Sequence, residues 1–268
     1  MWYLDVSDRK PLGRTRETVP AVGIGTWGIR DFNKAEEALT KAIEFGLNMI
    51  DTAEMYHTEE LVGKVIKRVG KENVFITTKL LPEHFSDVND ALNAARSSLS
   101  RLGINTVDLI LIHWPRAFTP IGKQIRILEA IANAGYTRYI GVSNFNVSQL
   151  AKAIQSTKKH EIVVNQVKYS VLDRTIEDNL LPYAIEHSIT IQAYTPLERG
   201  KVSNNKILSE IGKKYNKTPV QIALNYLISN PMVTAIPKTE KIERVLEFEG
   251  SLRWRLTKED IESIRSKI

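Results

Sequence analysis

Polar and ionisable side chains stand at the ends of short apolar runs along most of the sequence. They are Asp51, Lys79, His113, Ser143 with Asn144, Gln166, Tyr194 and Lys238. If these runs are parallel strands, their carboxyl ends bring the polar residues to one edge of the sheet. An inward-pointing charge at such an edge is costly to desolvate. Their convergence therefore predicts either a bound ligand or a mutual ion pair.

The elements that must position these residues alternate along the chain. Apolar, β-branched runs predict strands at 21–25, 48–52, 74–79, 107–113, 138–144, 163–167, 189–194 and 233–238. Segments of helical period lie between them. Eight such units in about 250 residues are the measure of a closed (β/α)₈ TIM barrel. We predict this α/β fold as a single domain over residues 1–268, with a doubly wound open sheet as the competing architecture.

The ends of the predicted helices carry recognisable signals. Helical segments at 34–45, 59–69, 87–102 and 122–134 are each followed by a glycine: Gly46, Gly70, Gly103 and Gly135. A helix often stops at a residue that tolerates the left-handed conformation. Thr218 before Pro219 predicts an N-cap followed by a proline in the first turn. Thr257 with Asp260 resembles a capping box that opens a last helix.

Composition excludes several classes of protein. Lys and Arg number 37 against 31 Asp and Glu, a formal net charge of +6, but bases and acids are interleaved along the chain. We expect no nucleic-acid partner, whereas the surplus suits a small phosphorylated ligand. The absence of cysteine excludes disulfides and thiolate chemistry, and we predict no metal site. With no apolar signal segment and no apolar stretch near the roughly 20 residues that span a bilayer, we expect a cytoplasmic protein without a membrane partner.

The segment GIGTWG, residues 23–28, matches the glycine pattern of dinucleotide-binding folds, and Asp51 follows at a suitable distance for a ribose-binding acid. A Rossmann-type dehydrogenase therefore remains an alternative. In that fold the glycines run straight into a helix, yet IRDFN intervenes here before the helical period begins. We favour a turn that follows the first barrel strand.

Ordered motifs across most of the chain resemble the aldo-keto reductase family. They are GIGTWG, IDTAEMY followed by EELVG, FITTK, VDLILIHWP, IGVSNF, VVNQVKY, QAYTPL and IPKTEKIERV. The resemblance implies a (β/α)₈ barrel, NADPH (NADP⁺) as cofactor, and reversible hydride transfer to a small-molecule carbonyl substrate. It assigns the catalytic positions to Asp51, Tyr56, Lys79 and His113.

These residue types suit the implied reaction. Hydride addition to a carbonyl builds negative charge on oxygen, which must receive a proton. Tyr56 is the expected donor, Lys79 is expected to lower its pKa, and Asp51 to hold Lys79 charged. His113 is expected to donate a hydrogen bond to the carbonyl oxygen. Taken singly, each residue also has a structural explanation, such as a buried ion pair or a core histidine.

The resemblance also assigns residues to cofactor and substrate contacts. The cofactor positions are Gly25, Thr26, Ser143, Asn144, Gln166, Tyr194, Thr195, Leu197, Lys238, Thr239 and Arg244. Within this set the resemblance implies that Tyr194 stacks on the nicotinamide and that Lys238 and Arg244 bind the 2′-phosphate. The expected substrate positions are Trp27, His57 and Trp114.

Departures from the family pattern concern the edges of the pocket. His57 stands where many relatives have glycine, and Phe248 where many have an asparagine that contacts adenine. The segment 114–122 is short and the chain ends soon after its last predicted helix, so we expect an open pocket that accepts many carbonyl compounds. We predict a monomeric NADPH-dependent reductase of aldehydes and ketones. A nucleotide-sensing subunit, similar to potassium-channel β-subunits, is a further alternative.

Overall fold

A parallel sheet of eight strands forms the centre of the protein, which a computed structural model describes from residue 4 to residue 268. Two strands, β1 (Arg9–Pro11) and β2 (Thr18–Pro20), form a separate pair. The eight strands of the sheet are β3 (Ile24–Gly25), β4 (Met49–Asp51), β5 (Phe75–Leu80), β6 (Val107–Ile112), β7 (Thr137–Ser143), β8 (Ile162–Lys168), β9 (Thr190–Tyr194) and β10 (Val233–Ala235). Strands β3 to β10 pair in chain order. Val22 bridges to Ala235 and Gly25 to Lys238, which closes the ring. The predicted barrel is confirmed, and the doubly wound sheet is wrong.

Helices surround this barrel. They are α1 (Phe32–Glu44), α2 (Glu59–Val69), α3 (Val88–Leu102), α4 (Ile121–Asn133), α5 (Val147–Ser156), α6 (Leu180–Glu186), α7 (Lys206–Tyr215), α8 (Pro219–Ile228), α9 (Ile242–Glu249) and α10 (Lys258–Lys267). Apolar residues at helical spacing, such as Leu39 in α1 and Val65 in α2, pack against strand residues such as Ile50 and Ile110. The main core therefore lies between the helices and the outer face of the barrel.

The predicted helix signals are largely confirmed. All four glycines that follow α1 to α4 have positive φ, from +67° to +87°. Thr218 and Gln221 form a complete capping box at α8, with Pro219 in its first turn. Thr257 caps α10 by accepting the N–H of Asp260. The other half of that box is wrong, because the Thr257 N–H donates instead to the Tyr215 hydroxyl at 3.0 Å.

The glycine-rich segment does not open a helix. Ile24–Gly25 is strand β3, Gly28 lies in a turn with φ +73°, and α1 begins only at Phe32. The Asp31 side chain caps α1 by accepting the N–H of Lys34 at 3.1 Å. The interpretation as a turn after the first barrel strand is confirmed, and the Rossmann-type alternative is wrong.

An antiparallel hairpin of β1 and β2, which the sequence did not predict, lies at the amino end of the barrel. Its Leu12 and Val19 join a cluster of buried residues that includes Met49 and Val163. The Gly13 N–H donates to the hydroxyl of Thr190, the first residue of β9, at 2.9 Å. The hairpin covers this end, which leaves the carboxyl end of the strands for a site. Within residues 4–268, no helix is long and apolar enough to cross a membrane.

Candidate active site

A buried ion pair lies at the carboxyl ends of β4 and β5. Asp51 pairs in register with Thr77, and because alternate strand residues share a face, Lys79 lies on the same side. Lys79 Nζ is 2.6 Å from Asp51 Oδ1 and donates to the Thr52 carbonyl at 2.9 Å. Burial raises the pKa of Asp51 and lowers that of Lys79, while their mutual attraction opposes both shifts. The predicted mutual ion pair is present.

Amide side chains extend this pair across the barrel. Gln166, in β8, donates through Nε2 to Asp51 Oδ2 at 2.6 Å and to Gln192 Oε1 at 2.5 Å. The Ser143 hydroxyl donates to the Gln166 carbonyl at 2.9 Å. Both amide protons of Gln166 are therefore engaged within the protein, and its side-chain oxygen is the group that remains to accept a hydrogen bond.

Asn144 links the ends of three strands. It has φ +62°, in the left-handed region that asparagine tolerates. Its Nδ2 donates to the His113 carbonyl and to Ser143 Oγ, both at 3.1 Å, and its Oδ1 accepts from the Tyr194 hydroxyl at 2.9 Å. This network orients the Tyr194 ring at the mouth of β9. It also commits the amide of Asn144 to protein partners.

Tyr56 lies above the ion pair on a short 3₁₀ helix, Glu54–Tyr56, that follows β4. The ring is partly buried, and Lys79 Nζ is 4.6 Å from its centroid. Burial raises the pKa of the phenol, and the Asp51 carboxylate raises it further. Because burial and Asp51 act in the same direction, the pKa of the phenol lies above its ordinary value, and the expected lowering by Lys79 stays a prediction. The phenol is protonated at neutral pH.

His113 follows β6 and faces Tyr56. The two rings meet edge to face with centroids 5.5 Å apart, and the Trp114 ring stacks on the imidazole at 3.9 Å. Burial, with a smaller contribution from Lys79, lowers the pKa of His113 to about 3. The imidazole is therefore neutral. Its buried Nδ1 has no hydrogen-bond partner within residues 4–268.

Asp51, Tyr56, His113 and Gln166 lie at the floor of a cavity of about 910 Å³ at the carboxyl end of the barrel. The sequence-predicted residues that line it are Gly25, Trp27, Asp51, Tyr56, His113, Trp114, Ser143, Asn144, Gln166, Tyr194, Thr195, Leu197, Lys238 and Arg244. The cavity thus extends from this polar floor to a cationic rim formed by Lys238 and Arg244. In the described part of the chain, no group of three or more metal-ligating side chains could hold a metal ion.

The model of the aldo-keto reductase family matches residues 21–268 of this chain. The chain belongs to that family. This aldo-keto reductase is 34% identical over 253 residues to a glyoxal reductase of Bacillus subtilis (strain 168), covering 92% of this chain and 88% of the relative. It is 33% identical over 256 residues to the methylglyoxal reductase YeaE of Escherichia coli (strain K12), covering 91% and 89%.

Solved structures support the same family. The thermostable aldo-keto reductase Tm1743, in complex with the inhibitor epalrestat, superposes with a TM-score of 0.90 at 40% identity, covering 96% of this chain and 98% of that one. An aldo-keto reductase from Klebsiella pneumoniae in complex with NADPH superposes with a TM-score of 0.89 at 30% identity, covering 98% and 95%.

Some predicted contact residues of this aldo-keto reductase lie off the cavity wall. The Thr26 hydroxyl is buried against the Asp51 carbonyl, 3.0 Å away, and the Thr58 hydroxyl, 2.8 Å away. Thr239 is engaged locally, since its hydroxyl accepts the Lys241 N–H at 3.0 Å. Direct contact of these side chains with a ligand in the cavity is not supported by their positions.

His57 also lies off the cavity wall. It ends the 3₁₀ helix with φ +56°, a conformation that glycine adopts without strain, and its exposed side chain does not line the cavity. Its predicted contact with the substrate stays a prediction. Lys79 likewise lies behind the wall and reaches the cavity only through Asp51 and Tyr56. Phe248, at 2% exposure, does line it.

Several residues of the cavity wall were not predicted from the sequence, because they lie on segments between the strands and the main helices. Arg30 lies in the loop after β3, and Met55 lies on the 3₁₀ helix Glu54–Tyr56 that follows β4. Arg199 lies in the loop after β9, with its guanidinium 5.2 Å from the centroid of the Trp27 ring. A charge after a strand end is a weak signal for such residues, since periodicity does not fix loop conformation.

Proposed function

We propose that this chain reduces aldehydes and ketones to alcohols with NADPH, and that Tyr56 supplies the proton. The proposal rests on one observation: the protonated Tyr56 phenol and the neutral His113 imidazole lie over the buried Asp51–Lys79 pair, at the floor of one cavity. The relatives named as glyoxal and methylglyoxal reductases support carbonyl reduction. The NADPH complex of the Klebsiella pneumoniae structure supports the cofactor.

The cavity has the groups that such a dinucleotide needs. The free side-chain oxygen of Gln166 can accept from a carboxamide, because both amide protons are held by Asp51 and Gln192. The Tyr194 ring is fixed beside it by Asn144. Lys238 and Arg244 offer cations to a 2′-phosphate at the rim. When bound, the reduced nicotinamide supplies the hydride.

The residues of the floor then handle the charge that develops on the substrate oxygen. The His113 imidazole is neutral, and the lack of an acceptor at its Nδ1 favours the tautomer with the proton on Nε2. That N–H can donate to the oxygen. Tyr56 donates its phenolic proton, and the Lys79 ammonium stabilises the resulting phenolate. In the reverse direction the same phenolate accepts the proton, so the reaction is reversible.

The substrate end of the cavity is broad and largely apolar. Trp27 and Trp114, exposed by 50% and 38%, form parts of its wall. Such walls discriminate weakly, since one methylene in an apolar pocket changes specificity by about 1 to 3 kcal/mol. We therefore propose a wide range of small aldehydes and ketones as substrates. We also propose that the protein acts as a monomer in the cytoplasm.

The experiment measures loss of NADPH absorbance with a panel of carbonyl compounds that includes glyoxal and methylglyoxal. Tyr56→Phe should lower kcat by about 10²- to 10⁴-fold, because the phenylalanine ring lacks the hydroxyl that carries the transferable proton. Its NADPH affinity, measured by quenching of tryptophan fluorescence, should stay close to wild type. Tyr183→Phe is the matched control, since Tyr183 lies on α6 outside the cavity.

Two results would contradict the proposal in different ways. A Tyr56→Phe protein that keeps more than half of the turnover removes Tyr56 from the role of acid. A wild-type protein that binds NADPH but turns over no carbonyl compound would instead be a nucleotide-sensing subunit.

A further inference from the structure

Glu240 stands within the cationic rim of the cavity. Its Oε1 is 2.7 Å from Lys238 Nζ and accepts the Arg30 N–H at 2.9 Å, and its Oε2 accepts the Asp31 N–H at 3.4 Å. Burial raises the pKa of Glu240, but Lys238 and these N–H groups outweigh it and leave the pKa below its ordinary value. A carboxylate therefore lies against the ammonium group proposed to bind the 2′-phosphate.

The second cation of the rim is also paired. The Arg244 guanidinium contacts Glu247, whose carboxylate accepts the Thr218 hydroxyl at 2.8 Å. The two acids differ in position. Glu240 lines the cavity together with Lys238 and Arg244, whereas Glu247 does not. An anion bound at Lys238 and Arg244 inside the cavity thus lies near the carboxylate of Glu240.

We propose that Glu240 sets the cofactor preference of this enzyme by weakening its hold on a 2′-phosphate. This inference rests on the proposed function, in which Lys238 and Arg244 bind that phosphate. A phosphate monoester carries about 1.5 to 2 negative charges at neutral pH, so Lys238 must leave Glu240 or hold two anions at once. NADH has a hydroxyl at that place and leaves both ion pairs intact.

Glu240 also offers NADH a favourable contact. A carboxylate is the acceptor that proteins commonly use for a free ribose 2′-hydroxyl, and Glu240 presents one inside the cavity. The wild-type protein therefore accepts both cofactors, with NADPH preferred by less than about ten-fold. Two unpaired cations at the rim would give a larger preference, because charge-assisted hydrogen bonds are roughly twice as strong as neutral ones.

The test compares Glu240→Gln with Glu243→Gln. Glutamine at position 240 keeps an oxygen that can accept the Arg30 N–H, so the loop stays held while the charge beside Lys238 is removed. Glu243 lies in the first turn of α9 outside the cavity, and its replacement removes the same unit of charge. Dissociation constants for NADPH and NADH are measured at low salt by quenching of tryptophan fluorescence.

Glu240→Gln should bind NADPH about five-fold more tightly, with NADH unchanged or weakened, since an exposed ion pair has a modest strength. The gain should shrink in 0.5 M salt (~4 Å screening length). Glu243→Gln should shift neither constant by more than about two-fold. Should the glutamine variant fail to fold, Glu240→Ala must show the same selective gain.

The outcomes separate this inference from the proposed function. If Glu240→Gln changes the affinity for both cofactors by the same factor, or leaves NADPH binding unaltered, Glu240 does not set the preference. A wild-type preference for NADPH above about 100-fold overturns the inference as well. If wild type binds neither NADPH nor NADH, the proposed function itself fails.

Discussion

At the scale of single residues, burial fixes the charge states that the proposed chemistry needs. Asp51 and Lys79 compensate each other at 2.6 Å, so neither is an isolated charge in the barrel. His113 is held neutral and Tyr56 protonated by the same loss of solvent. The site is therefore prepared to donate hydrogen bonds and a proton to an oxygen that becomes negative.

These charge states predict a flat pH profile for carbonyl reduction. Reduction requires protonated Tyr56, whose pKa lies above the ordinary tyrosine value, so activity is lost only as pH rises through that raised value. It also requires neutral His113, which is lost only as pH falls toward about 3. With saturating NADPH, kcat should be constant within about two-fold between roughly pH 5 and pH 9.

The measurement uses initial rates in constant-ionic-strength buffers, with far-UV circular dichroism as the control for folding at each pH. A limb of the profile near the ordinary histidine value of about 6.5 would show that His113 titrates freely. A fall below pH 9 on the alkaline side would show that the Tyr56 pKa is not raised during turnover.

At the scale of elements, the sequence predicted what periodicity controls. All eight barrel strands were located, because each lies in a buried, largely apolar run, such as Val107–Ile112, that alternates with segments of helical period. The hairpin was missed, since Arg9–Pro11 and Thr18–Pro20 each end in proline, contain few apolar residues and precede the strand–helix alternation. Elements are therefore predictable from the sequence where they take part in the repeated alternation of strands and helices.

The residues of the candidate site also fall into those that the sequence predicted and those that it did not. Residues at strand ends, such as Gln166, line the cavity as predicted, because strand register fixes their direction. Loop residues such as Arg199 were missed, and Thr26 was assigned to a ligand although its hydroxyl is engaged by Thr58. The ion pair between Lys238 and Glu240 was not predicted from the sequence either. Side-chain competition of this kind depends on distances that no motif encodes.

The end of α3 offers a test at this scale. Gly103 follows α3 with φ +67°, and a Cβ there would meet nothing within 4 Å. Gly103→Ala should therefore lower the free energy of unfolding by about 1 kcal/mol through left-handed strain alone. Gly103→Asn, which tolerates this conformation, should cost less. Urea denaturation checks both, and an alanine variant as stable as wild type would remove the conformational argument.

At the scale of the whole molecule, the two ends of the barrel differ in their roles. The carboxyl end holds the cavity, whereas the hairpin at the amino end joins distant parts of the chain. Lys10, in β1, is fully buried, and its Nζ donates to Asp5 at 2.6 Å and to the carbonyls of Ile228 at 2.6 Å and Asn230 at 3.3 Å. Burial lowers the pKa of Lys10, while Asp5 opposes that shift. This ammonium group fastens the hairpin to the end of α8.

Lys10→Met should consequently destabilise the protein without altering its chemistry. The substitution leaves the partly buried Asp5 carboxylate and the Ile228 carbonyl without their donor, and breaking a buried pair in this way costs about 3 to 5 kcal/mol. Lys10→Met/Asp5→Asn should recover part of the loss, because the uncompensated charge is gone. Lys213→Met, at an exposed position in α7, is the matched control and should change stability by less than about 0.5 kcal/mol.

Urea denaturation gives these values, and kcat measured well below the denaturation midpoint should equal that of wild type. A Lys10→Met protein that unfolds like the Lys213→Met control would show that the hairpin is held by its apolar contacts alone, whereas a stable variant with lowered kcat would show that the amino end of the barrel communicates with the cavity floor.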